Sequence, residues 1–100
     1  MDSSVKSELD KLRLLDNCFP TPETWVKFRG RVGDSRCLVI AMADCNISHG
    51  KAFEAILKVT GAQKGRIGSG WNDDPGRTFE DVKNAIHNAI SLMENENGSA

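Results

Sequence analysis

The sequence predicts a small single α+β domain: a β-hairpin packed by three helices, in the order helix, strand, strand, helix, helix. Three observations lead there. The chain is 100 residues long, the size of one domain. Residues 26–32 alternate apolar or small side chains with cations, the mark of a strand with one wetted face. Three further stretches repeat apolar residues at three- and four-residue steps, as helices with one buried stripe do. The domain is expected to fill residues 1–95, with a disordered tail over 96–100.

Residues 4–17 form the first expected helix. Val5, Leu9, Leu12, Leu15 and Phe19 share one face, while Lys6, Glu8, Asp10, Lys11 and Arg13 point elsewhere. Ser3 or Ser4 can cap its start, and Asn17 followed by Pro20 supplies the stop. The prolines at 20 and 22 then hold an extended connector, because each disfavours helix in the residue before it.

The first strand reads Val26, Lys27, Phe28, Arg29, Gly30, Arg31, Val32, with the apolar set beneath and the cations above. Gly33, Asp34, Ser35 and Arg36 make a turn, and residues 37–42, apolar almost throughout, make a second strand buried on both faces. A lone hairpin is marginal in water. Residues 66–71 offer a third strand, weakened by its glycines. Alternatively, the free strand edge pairs with a second copy of the chain, giving a homodimer.

Ser48 is placed to cap a helix over 49–60 that buries Ala52, Ile56 and Val59, widened by Phe53 and Leu57, and Gly61 stands where a C-terminal glycine belongs. Residues 61–76 hold five glycines, at 61, 65, 68, 70 and 76, which either turn the chain tightly or let a partner approach the backbone. Thr78 and Asp81 then form a capping box. It opens a helix to about residue 94 with Phe79, Val82, Ile86, Ala89, Ile90 and Met93 on one face. An all-α alternative reads residues 46–56 as the turn and second helix of a helix-turn-helix, which requires residues 36–44 to be helical. The preference of Leu38, Val39 and Ile40 for a strand weighs against it.

Composition narrows the function classes. No apolar run approaches the ~18 residues of a membrane span, and the N-terminus is polar rather than signal-like. Three cysteines, Cys18, Cys37 and Cys45, lack the spacing of a zinc site and the even count of a disulfide scaffold. Reduced thiols in a cytoplasmic protein are expected. Lys and Arg number 13 against 14 Asp and Glu, for a net charge of −1, so the whole chain is no generic polyanion binder. The charge is nevertheless uneven: residues 25–70 carry 8 cations and 3 carboxylates.

Candidate sites follow from that basic middle. Lys27, Arg29 and Arg31 on one strand face would stand about 6.6–6.8 Å apart, comparable with successive phosphates. Arg36 joins them at the turn, and Trp25 offers a stacking surface. The plain reading of this stripe is a solvated face whose cations pair with carboxylates from the helices. Lys64, Arg66 and Trp71 sit in the glycine-rich loop, where a tryptophan either plugs the core or anchors a partner. The Gly-x-x-Gly at 65–68 has the spacing of a backbone clamp but lacks the helix that should follow. Gly65 to Gly70 spans a phosphate loop with Trp71 where lysine is required. Asp44, Asn46 and Ser48 begin like a calcium loop that His49 and Ala55 then break. Cys45 with His49 near a helix start is chemically conceivable as a nucleophile, yet no second histidine lies near in sequence.

No catalytic set, cofactor loop or metal set is therefore expected. The function expected is that of a small non-enzymatic interaction protein, of the accessory, adaptor or inhibitor type found among small phage and mobile-element proteins. It would meet a partner protein with an acidic surface through Trp25, Lys27, Arg29, Arg31, Arg36, Lys64, Arg66 and Trp71. Nucleic-acid binding by the same basic face is the alternative.

Overall fold

The computed structural model describes residues 3–98. Its first helix, α1 (Ser3–Asn17), buries Leu9, Leu12 and Leu15 on the face the periodicity marks, with Phe19 fully buried just beyond. The connector tightens into a 3₁₀ turn at Pro22–Thr24. Helix α3 (Lys51–Thr60) buries Ala52, Ala55 and Ile56 and ends on Gly61 in the left-handed conformation. Helix α4 (Phe79–Gly98) starts at the expected box: Asp81 N–H donates to Thr78 Oγ1 at 3.1 Å, and Thr78 N–H to Asp81 Oδ2 at 3.0 Å. It buries Val82, Ile86, Ala89 and Met93. Of the tail expected over 96–100, the backbone to Gly98 continues α4, and residues 99 and 100 lie outside the described residues.

Helices α1, α3 and α4 pack on one another as one layer. Removing a leucine or isoleucine of this core from water stabilises the fold by roughly 1.5–3 kcal/mol. A second layer holds the hairpin and what packs beside it. Strands β1 (Arg31–Val32) and β2 (Ser35–Arg36) are antiparallel, with Arg31 opposite Arg36 and Val32 opposite Ser35, and Gly33 (φ 58) turns the chain between them. The α+β class thus stands, with a hairpin shorter than expected whose second strand falls at Ser35–Arg36, inside the expected turn.

Two expected strands are corrected. Residues 26–30 form no regular strand: Phe28 takes the left-handed conformation (φ 66), which interrupts the alternation. Residues 37–42, expected as the second strand, instead open helix α2 (Leu38–Asp44). Its run is apolar on every side, so a 2-residue and a 3.6-residue period fit it equally. The Cys37 thiol caps the helix by accepting from Ile40 N–H at 3.4 Å, and Leu38, Ala41 and Met42 form its buried stripe. The third strand considered at 66–71 is likewise a π-helical turn, Ile67–Asn72.

The helix that the helix-turn-helix alternative requires is therefore present, but its packing differs from that motif. α2 lies chiefly on the Ile67–Asn72 turn and against β2, while α3 packs on α4 and α1. The exposed face of α3 carries Lys51, Glu54 and Lys58, a mixed and short surface for reading a groove.

The start of α3 depends on α1. Ser48 does not cap it; the N-cap is Gly50 (φ 91, ψ −170), and the carboxylate of Glu8 accepts from Ala52 N–H at 2.9 Å. A Cβ on Gly50 would stand 2.7 Å from Glu8 Oε1, so a side chain there is strained by conformation and would displace the carboxylate that accepts from Ala52 N–H. Lys11 pairs with the same carboxylate at 2.7 Å. Burial pushes the Glu8 carboxyl up, but the bonds from Lys11 and Ala52 and the charges of Lys11 and His49 outweigh it. The net result lies below the ordinary value of 4.5.

A group held below its unfolded value stabilises the fold above that value and loses the contribution as pH falls through the folded one. Urea denaturation at stepped pH should therefore show stability dropping as pH falls below 4.5, with a flatter profile there in Glu8→Gln. Gly50→Ala should cost roughly 1–3 kcal/mol at neutral pH; an unchanged urea midpoint would contradict this account of the α3 start.

Candidate partner-binding surface

Asn72 organises the second layer. It is fully buried, and each hydrogen-bonding position of its amide is used. Oδ1 accepts from the Trp25 indole at 2.6 Å and from Leu38 N–H, the first of α2, at 3.1 Å. Nδ2 donates to Val26 O at 3.1 Å and to Asp73 Oδ1 at 3.0 Å. Asp73 Oδ1 in turn accepts from Phe28 N–H at 2.8 Å. One side of the turn thus fixes both the 25–28 segment and the start of α2.

This anchoring decides which expected site residues reach solvent. Trp25 is half-buried with its indole engaged by Asn72, and Lys27 lies over its ring at 5.6 Å while donating to Pro75 O at 3.1 Å. Trp71 is 8% exposed and covered by the Arg77 guanidinium at 4.0 Å from its ring. Both tryptophans face the protein. Arg31 and Arg36 converge on Asp44 Oδ2, at 2.8 and 3.0 Å. The hydrogen bond from Arg31 leads the causes that hold the Asp44 carboxyl below its ordinary range, burial opposes it, and the charges of both arginines add to it. Of the cationic stripe expected over Lys27, Arg29 and Arg31, Arg31 pairs with a helix carboxylate, as the plain reading anticipates, Lys27 turns to Pro75 O and the Trp25 ring, and Arg29 stays exposed.

Arg29, Lys64 and Arg66 are exposed and make no ion pair among the described residues. Arg29 and Lys64 line a feature that sequence reasoning missed, whereas Arg66 lies in a separate depression with Gln63, Gly70 and Trp71. Phe28, expected in the core, is 67% exposed, and Val39 on the outer side of α2 is 39% exposed. Two adjoining clefts meet at Val39 and Gly65. One, of about 320 Å³, is floored by Met42, Ile47, Phe53 and Ile67 with Lys64 at its edge. The other, of about 270 Å³, lies between Phe28, Arg29, Ile40 and the backbone at Gly68. Gly68 allows this approach, since a Cβ there would meet Val39 Cγ2 at 3.3 Å. A larger groove of about 540 Å³ runs between α3 and α4, and its lining contains none of the expected site residues.

The Cys45 and His49 pair is not arranged as a nucleophile and base. Cys45 caps the C-terminal end of α2 rather than a helix start, and His49 Nδ1 lies 3.2 Å from Ser48 Oγ. Among the described residues no three His, Cys, Asp or Glu side chains gather to hold a metal ion, and no helix is long and apolar enough to cross a membrane. Comparison with protein-family models, curated proteins and solved structures found no match.

Asn72→Ala should destabilise the protein by about 2–4 kcal/mol, because it strands the buried Leu38 N–H and the Trp25 indole. Loss of Trp25 burial should accompany it, read as a red shift in tryptophan fluorescence. A variant as stable as the parent would remove Asn72 from its central place.

Proposed function

We propose that this chain is a small non-enzymatic interaction protein. Its partner is a protein segment that seats an apolar side chain between Phe28 and Val39 and sets carboxylates against Arg29 and Lys64. The observation that carries this reading is Phe28. A non-glycine residue in the left-handed region costs on the order of 1–2 kcal/mol, and exposing a phenylalanine forgoes its burial. Here both penalties fall on one residue, held by the Asp73 bond to its N–H. Such strain, maintained by a buried network, belongs to sites that meet other molecules.

The rim supports an acidic partner. Arg31 and Arg36 are engaged with Asp44, and the cations that line the clefts are Arg29 and Lys64. They frame an apolar floor, an aromatic and aliphatic centre with a charged border, as in protein interfaces. A phosphate-binding surface needs instead a continuous cationic track, and the pairing of Arg31 and Arg36 interrupts the one expected here. The three free thiols suit a protein of the cytoplasm.

Affinity capture with a set of variants tests the proposal. Phe28→Ser, and separately the pair Arg29→Glu with Lys64→Glu, should each lower retention of the partner at least about tenfold. Leu14→Ser, at an exposed leucine of α1, should not change it. Equal retention by all variants would end the reading. So would a low-salt gel shift that weakens steeply with salt and flattens on Arg29→Glu, because that is the behaviour of a phosphate contact.

A further inference from the structure

Two helix ends bring a pair of thiols together. Cys18 follows the last turn of α1, Cys45 caps the end of α2, and their sulfur atoms stand 3.8 Å apart although 27 positions separate them in sequence. We propose that Cys18 and Cys45 form a redox modification site, in which a peroxide oxidant converts the two thiols into a disulfide joining the ends of α1 and α2. Closing the bond brings the sulfurs from 3.8 Å to about 2.05 Å.

The surroundings give the two sulfurs different roles. Cys18 is half-buried, and Arg36 Nη1 lies 3.5 Å from its Sγ, a donor that faces the charge on sulfur as it attacks an oxidant. Cys45 is 8% exposed. Burial pushes its thiol up, and Cys18 and Asp44 act in the same direction against Arg36, so it waits in the protonated form. Cys18 therefore meets the oxidant and Cys45 resolves the product. Cys37, whose sulfur accepts from Ile40 N–H at the opposite end of α2, takes no part.

The chemistry balances with hydrogen peroxide as the oxidant. Cys18 sulfur attacks one peroxide oxygen, the O–O bond breaks, and the departing oxygen leaves as water, giving a sulfenic acid on Cys18. Cys45 sulfur then attacks Cys18 Sγ. The S–O bond breaks, and the hydroxyl departs as a second water with the proton from the Cys45 thiol. Two thiols lose two electrons and two protons to one peroxide. The cross-link encloses the hairpin and α2 in a loop of the unfolded chain, which raises resistance to denaturant. Neither sulfur lines the clefts at Phe28 and Val39, so this inference is independent of the partner-binding reading.

The test treats the native protein with hydrogen peroxide, then counts thiols and maps peptides after alkylation. Two of the three thiols should disappear, the peptides containing Cys18 and Cys45 should be found joined within one chain, and Cys37 should be alkylated. Dithiothreitol should restore all three, and the oxidised protein should unfold at higher urea. In Cys45→Ser, Cys18 should instead accumulate as a sulfenic acid that dimedone traps. Three free thiols after treatment, a bond to Cys37, a bond between chains, or irreversible oxidation of Cys18 with Cys45 still free in the wild-type protein would each overturn the proposal.

Discussion

A single buried side-chain amide holds the second layer of this protein together. Asn72 stands on a π-helical turn, a wide local geometry often found at functional sites, and its four hydrogen bonds reach Trp25, Val26, Leu38 and Asp73. Replacing any of those partners by solvent is impossible at a fully buried position, so the network holds as a unit or fails as one. The first N–H of α2, which a helix cannot satisfy internally, finds its acceptor here. The segment entering the hairpin and the helix leaving it are consequently fixed against the same turn.

The surface chemistry follows from that fixation. With Phe28 N–H directed to Asp73, its ring cannot join the core as strict alternation would have it, and it stands beside Val39 instead. The glycine-rich segment closes the other side of the clefts, where the missing side chain of Gly68 lets the turn sit against Val39. The result is an apolar centre edged by Arg29 and Lys64. Arg31 and Arg36, which the sequence places in a longer basic track, are drawn to Asp44 at the end of α2. Exposed ion pairs of this kind add little to stability; their effect is to place the hairpin on α2 and to remove charge from the surface.

Arg36 links this region to the thiol pair. Its backbone pairs with Arg31 in the hairpin, its carbonyl accepts from Val26 N–H at 3.1 Å, and its guanidinium touches both Asp44 and Cys18. The ends of α1 and α2 thus meet at one arginine.

Helices α1, α3 and α4 were legible in the amino-acid order because their signals are local: an apolar stripe at three- and four-residue steps, a glycine closing α3, and the Thr78–Asp81 box opening α4. Each compares residues within a turn or two of one another. Residues 37–44 carried no such signal, since a run apolar on every side suits a buried strand and a buried helix alike. The choice was made by Asn72, 34 positions away, and by the turn that α2 covers. In the same way Asp73 turned Phe28 outward from 45 positions away, and Glu8 capped α3 from 44. The basic character of the middle segment was written in its composition, but which cations remain free depended on where Asp44 came to rest. Local periodicity determines α1, α3 and α4; the acceptors that decide between competing local structures, and the surface they leave exposed, exist only once distant segments have met.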